Sequence, residues 1–373
     1  MTTRTTFHGI QLLRGLTACL VVLAHVNLVM GHADQYGATL LPVRLSGMFA
    51  VGVFFAISGF IIAVVSLDSA WRGSISRLHY FSKRFIRIVP FMWLCIIGYN
   101  LLSAAGTRQI EWAPFLRALS LWPVGELKPN VVWSLQHEAL FYLLFALSFL
   151  GARRRPWLLA LWFIAPILYA GFLATGLWPG PIRQQPFVDL ANLVLLGGFS
   201  GANLQFGVGF LLGLAYLKHG PQGAPLFNRP MPTIGVILIL LVACAMVEWT
   251  DFPIRGLGRM IAWSLMAGGI LWSGIIMAAP KKPGLGFRLA MLLGDASFAI
   301  YLVHSAVLMV ALAITHRFSS IAYTFPGITL AAIVCLCVVV GVITHLLVER
   351  PLIGWLARGR RVTIWQPPEA DAP

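Results

Sequence analysis

The chain is poor in charge, and poorest in negative charge. Of 373 residues only 12 are Asp or Glu, against 27 Lys and Arg, and charged residues make up 10% of the whole. A water-soluble domain carries roughly 25%, so that class is excluded. Cysteine is also scarce: Cys19, Cys95, Cys244, Cys335 and Cys337 all lie in apolar runs. None has metal-ligand spacing, and Cys335 and Cys337 take different faces of a helix, so they read as packing residues. The short alternating pattern of a membrane β-barrel is absent. The first apolar run, from His8, is too long for a signal-peptide core and has no small-residue cleavage site at its end, so no cleavable leader is expected.

What the chain has instead is apolar length. Hydrophobic residues make up 59% of it and mean hydropathy is +0.84. Stretches of about 20 apolar residues suit a bilayer, and ten such spans are expected. They lie at 8–30, 46–67, 88–106, 131–150, 157–178, 204–217, 231–249, 259–279, 290–314 and 328–348. The sixth is short and glycine-rich, and the segment before it, LANLVLLGGFSGAN, could lie at the interface or re-enter. The expected fold is an all-α polytopic transmembrane helical bundle. One membrane domain would run over 1–350, with a short basic cytoplasmic tail at 351–373.

The net charge of +15 is a topology signal. With the N-terminus inside, eighteen of the 27 positive residues fall in cytoplasmic segments. These include Arg72, Arg77, Lys83, Arg84, Arg87, Arg153 to Arg155 and Arg358 to Arg361. The excess places both termini and the 69–87 loop in the cytoplasm. Nucleic acid is excluded as a partner, because the charges are divided among short loops between spans.

Glu138 stands in the apolar run VVWSLQHEALFYLLFALSFL, Val131 to Leu150. A carboxylate at that depth costs at least about 2.5 kcal/mol, and an intramembrane ionisable group marks a functional site by default. In the first span Arg14 and His25 are eleven residues apart, close to three helical turns. They share a face, separated by roughly 16 Å along the axis. Arg14 falls near the cytoplasmic side and His25 in the outer half, at the depth of Glu138. A carboxylate beside a histidine orients the imidazole and raises its basicity. The alternatives are a snorkelling arginine, a core histidine, and a helix-to-helix bond or proton relay through Glu138.

In the ninth span, LLGDASFAIYLVHSAVL, Tyr301 shares a face with His304 and with Ser297. Asp295 could simply cap that span. Arg84 and Arg87 lead into Pro90 in SRLHYFSKRFIRIVP, so they should stand together at a helix start. Paired guanidinium forks suit phosphate, although for this pair taken alone plain positive-inside anchoring is the stronger reading.

Six segments in order carry a resemblance. They are RGLTACLVVLAH (Arg14 to His25), FFAISGFII (Phe54 to Ile62), KRFIRIVP (Lys83 to Pro90), WSLQHEALFYLLF (Trp133 to Phe145), LGDASFAIYLVH (Leu293 to His304) and VERP (Val348 to Pro351). With them the chain resembles, over nearly its whole length, the acyltransferase family 3 integral membrane proteins, which O-acylate extracellular sugars. The family's Arg-ten-residues-His motif falls on Arg14 and His25, its Arg-x-x-Arg motif on Arg84 and Arg87, and its Trp-Ser-Leu-x-x-Glu segment on Trp133, Ser134, Leu135 and Glu138. Phe298 departs from a common tyrosine and is given no polar role. No appended hydrolase-like domain, such as some members carry, is expected.

The resemblance implies a multi-pass protein of the bacterial inner membrane. An acyl group, in the first place acetyl from cytosolic acetyl-CoA as co-substrate, would move to a glycan hydroxyl without a metal. The acceptor would be exopolysaccharide, lipopolysaccharide or a glycolipid. His25 and Glu138 would be catalytic, while Arg14, Arg84 and Arg87 would hold the donor. Ser58, Trp133, Ser134, Tyr301 and His304 would line the acceptor site. Direct transfer and an acyl-histidine intermediate both remain open. The competing class is a proton-coupled transporter or flippase, in which His25 and Glu138 relay protons.

Overall fold

The computed structural model describes residues 7–31, 47–151, 154–175, 201–220, 257–277, 282–317 and 325–358. With turns such as 67–76 and 121–129 between, most of them form helices. In order these are α1 (His8–Met30), α2 (Gly47–Ser66), α3 (Arg77–Thr107), α4 (Trp112–Ser120) and α5 (Trp133–Phe149), the last led in by a 3-10 turn (Asn130–Val132). Then come α6 (Pro156–Ala174), α7 (Ala202–His219), α8 (Leu257–Ile276), α9 (Leu285–Asp295) and α10 (Ser297–Arg317). Finally α11 (Pro326–Thr344) passes through a π turn (His345–Glu349) into α12 (Arg350–Arg358). Among the described residues seven helices are long and apolar enough to cross a membrane. Helices are the economical answer in lipid, because each satisfies its own backbone polar groups.

Two expectations are corrected. The third span was expected at 88–106, with a loop before it, but α3 starts at Arg77 behind the N-cap Ser76, whose side chain accepts from His79 N–H. Pro90 therefore sits inside a 31-residue helix, and Arg84 and Arg87 belong to its second and third turns rather than to its start. The charged, amphipathic opening of α3 does not read as apolar, which hides it from a search for spans. The ninth span was expected as one helix over 290–314, but it is two, α9 and α10, broken at Ala296. The expected span at 231–249 and Cys244 lie outside the described residues.

α1 occupies the middle of the bundle, touching α2, α8, α9, α10 and α11. Such crowding needs small residues. A Cβ at Gly9 would lie 2.2 Å from the Gly274 carbonyl oxygen, and one at Gly294 the same distance from that of Gln11. α2 and α7 meet along a second seam, where a Cβ at Gly209 would lie 1.9 Å from the Ala56 carbonyl oxygen. Around it Phe55 stacks on Phe206 at 4.6 Å and Phe141 on Phe206 at 4.4 Å. On the outside of the bundle Phe85, Trp93, Leu101 and Leu265 are exposed, as lipid-facing side chains are.

The two ends of the bundle are separately tied. At one, Arg77 donates to the Leu150 carbonyl at 2.9 Å, and Trp71 to that of Leu214 at 3.3 Å. At the other, Asn100 donates to the Lys128 carbonyl at 2.9 Å, Trp93 to that of Leu119 at 2.8 Å, and Lys128 pairs with Glu111. The basic segments around residues 72–77 and 154–155 thus gather at a single end.

Candidate active site

The central helix α1 carries two polar groups inward, and neighbouring helices supply their partners. Toward the end reached by Met30, His25 of α1 meets His304 of α10, with His25 Nδ1 at 2.9 Å from His304 Nε2. Their ring planes differ by 5° and their centres are 5.1 Å apart. Facing nitrogens so much closer than the ring centres mean that the rings meet edge to edge in a shared plane. His304 is fully buried, and its Nδ1 lies 2.6 Å from the Tyr301 carbonyl oxygen.

The hydroxyl of Tyr301 donates to the Val131 carbonyl at 2.9 Å and lies 2.7 Å from Ser134 Oγ. Tyr301 and Ser134 thereby lock α10 against the start of α5. Trp133 packs edge-on to Phe55 and His137. His137 places Nδ1 2.9 Å from the Trp133 carbonyl oxygen and leaves a buried Nε2 without a partner among the described residues.

Glu138 does not pair with His25. Its Oε1 accepts from Ser58 Oγ of α2 at 2.9 Å and from the Tyr142 hydroxyl one turn along α5. The expectation that Glu138 orients the imidazole is therefore revised: the neighbour of His25 is a second histidine. Spacing along a chain fixes depth but not the rotation of one helix against another. Glu138 nevertheless stands one turn along α5 from Ser134, which bonds Tyr301, and lies within electrostatic reach of Arg14.

The guanidinium of Arg84 lies over the rings of Tyr142 and Tyr80, at 5.2 and 5.7 Å from their centres. It is engaged by aromatic faces. Arg87, one turn on, interacts electrostatically with Arg14. The two arginines of this motif thus have different surroundings.

Below His25 on α1, Arg14 donates to Gln11 Oε1 at 2.9 Å, and the Gln11 amide donates to Asp295 at the end of α9. Asp295 was expected at most to cap a span, and instead it links the α9–α10 break to the central helix. Gly294 and Gly15 face one another beside it, which lets α1 pass that close. Glu349, buried in the π turn, pairs with His345 at 2.7 Å and contributes its charge to Arg14. Gln11, Tyr142 and Glu349 were not picked out from sequence as site residues. Gln11 and Tyr142 had a readable signal, standing three residues before Arg14 and four after Glu138. Among the described residues no group of three or more His, Cys, Asp or Glu is placed to hold a metal.

The bundle thus holds an imidazole pair toward one end and a partly buried arginine, glutamine and aspartate network toward the other. The chain belongs to acyltransferase family 3, whose acyltransferase domain model matches residues 7–346, and it is an acyltransferase. The acyltransferase MdmB of Streptomyces mycarofaciens is 26% identical over 386 aligned residues, spanning 96% of this chain and 95% of its own. The exopolysaccharide production protein ExoZ of Rhizobium meliloti (strain 1021) is 29% identical over 331 residues, spanning 85% of this chain and 92% of its own. No solved structure matches significantly.

Proposed function

We propose that the protein transfers an acetyl group from cytosolic acetyl-CoA to a hydroxyl of an exported glycan. The observation that carries this reading is the placement of His25 and Arg14 on one face of the central helix. Eleven residues along α1 separate them by roughly 16 Å, which would set the imidazole in the outer half and the guanidinium near the cytoplasmic side. Donor phosphates would meet Arg14 and Arg87 from the cytoplasm, and the thioester arm would reach upward past Glu138. His25 would take the proton of the acceptor hydroxyl as that oxygen attacks the thioester carbon. The carbon–oxygen bond forms, the carbon–sulfur bond breaks, and the proton returns to the departing thiolate. In the two-step variant His25 first accepts the acyl group itself. The glycan acceptor is supported by the similarity to ExoZ, an exopolysaccharide production protein.

The test compares the acetyl content of exported glycans, by mass spectrometry, in cells carrying the wild-type gene, no gene, or His25→Ala. Loss of acetyl with normal glycan export supports the enzyme. Loss of export itself would favour a transporter. Full acetylation by a well-expressed His25→Ala protein would remove the centre of the proposal.

A further inference from the structure

The bonds around His304 determine more than its position. A backbone carbonyl can only accept, so the 2.6 Å contact with Tyr301 O requires that His304 carry its proton on Nδ1. In the neutral ring the other nitrogen, Nε2, is then a bare acceptor. His25 Nδ1 lies 2.9 Å from that lone pair, in the plane of both rings. Two bare nitrogens cannot bond, so His25 must carry its own proton on Nδ1. What remains to His25 is an unprotonated Nε2, with no partner among the described residues. That edge faces Gly47 at the start of α2, where even an added Cβ would stay 3.7 Å from Nε2.

We infer that His304 is a positioning residue that fixes the tautomer of His25, so that the centre presents the Nε2 lone pair of His25 and nothing else. The imidazole of free histidine prefers its proton on Nε2, which would leave no lone pair on the open edge. The Tyr301 carbonyl, acting through His304, reverses that preference. This does for the base what a carboxylate does in a hydrolytic triad, but without placing a charge beside it. The catalytic consequence rests on the acyl-transfer reading; the tautomer does not. His304 is thereby moved from the acceptor contacts expected from sequence to a place behind the base.

The experiment uses the full-length protein in lipid nanodiscs, labelled with ¹⁵N-histidine, with His25→Ala identifying the His25 resonances. The wild-type protein should show His25 protonated on Nδ1 and bare on Nε2. His304→Ala should let the proton return to Nε2. His304→Gln, whose side-chain oxygen can accept from Nδ1, should keep it in place. In acyl transfer from labelled acetyl-CoA, His304→Ala should lower kcat by about 10²-fold or more, since a base in the wrong tautomer loses about 10⁴-fold in serine hydrolases. KM for the donor should hold, and His304→Gln should recover most of the rate. An Nε2-protonated His25 in the wild-type protein overturns the inference. So does parent-level transfer by His304→Ala where His25→Ala is dead. Should His25→Ala transfer normally, it is the acyl-transfer reading that falls, and the resonances alone then judge the tautomer.

Discussion

Glu138 can be tested by separating its charge from its hydrogen bonds. One oxygen, Oε1, accepts from both Ser58 and Tyr142. In Glu138→Gln the amide oxygen can still take both bonds, so the links between α2 and α5 and along α5 survive. What changes is that two bonds to a charged acceptor become bonds to a neutral one, a loss of about 1 kcal/mol each. At about 2–4 °C per kcal/mol, and less for a chain of this length, the melting midpoint should fall by only a few degrees. Glu138→Ala removes the acceptor altogether and leaves the Tyr142 hydroxyl in an apolar setting, at about 1–3 kcal/mol for each group left unpaired, so it should melt distinctly lower. Activity should order the variants differently. The carboxylate lies within electrostatic reach of Arg14 and Tyr301, and in the proposed mechanism it stands on the path from donor to base. Electrostatic groups in such positions contribute about 10²–10³ in kcat, so both variants should lose transfer by that order although only the alanine is much less stable. The assay is labelled acetyl transfer from acetyl-CoA in membranes, with thermal melting of the same purified variants. Wild-type kcat in Glu138→Gln would refute the reasoning, leaving Glu138 as a hydrogen-bond acceptor and no more.

The packing of α2 on α7 predicts opposite signs for one chemical change. Gly209→Ala, whose Cβ would fall 1.9 Å from the Ala56 carbonyl oxygen, should destabilise by about 1–3 kcal/mol, whereas Gly98→Ala in α3, with nothing within 4 Å, should be neutral or gain up to about 1 kcal/mol. Comparing melting midpoints in detergent decides it, and equal midpoints would contradict the seam. The two arginines of α3 should separate, with Arg87→Ala raising KM for acetyl-CoA and Arg84→Ala chiefly lowering the melting midpoint through its two ring contacts. Identical KM changes in both would count against that division. In a cysteine-free background, an impermeant thiol reagent on intact cells should label position 117 but not 154. The reverse pattern would invert every depth assigned to His25 and Arg14.

Much of the fold was legible because apolar runs end abruptly in polar or glycine-containing stretches. The span read as 8–30 is His8–Met30, that read as 46–67 is Gly47–Ser66, and that read as 131–150 closely brackets Trp133–Phe149. The opening of α3 was missed because hydropathy is blind to a helix that leaves the hydrocarbon, although Ser76 was a readable cap. The break at Ala296 was missed because α9 and α10 are both apolar and only the contact of Gly294 with Gln11 reveals it. At the site, position along each helix was readable and partnership was not. His25, Glu138 and His304 were expected to converge, and only the relative rotation of α1, α5 and α10 assigns His304 to His25 and Ser58 to Glu138.

The length of α3 carries a consequence for the lipid. At about 1.5 Å per residue, its 31 residues reach about 46 Å, while the hydrocarbon layer is about 30 Å thick. On the topology expected from charge, the first turns of α3 would stand at the level of the inner-leaflet phosphodiesters, with Arg84 turned inward onto the Tyr80 and Tyr142 rings. A nucleotide-bearing donor of the kind proposed, if drawn to Arg87, would arrive at a layer already crowded with the same chemical group. The bilayer is in that sense a rival substrate, and the apparent donor affinity of this protein should weaken as the anionic lipid fraction around it rises.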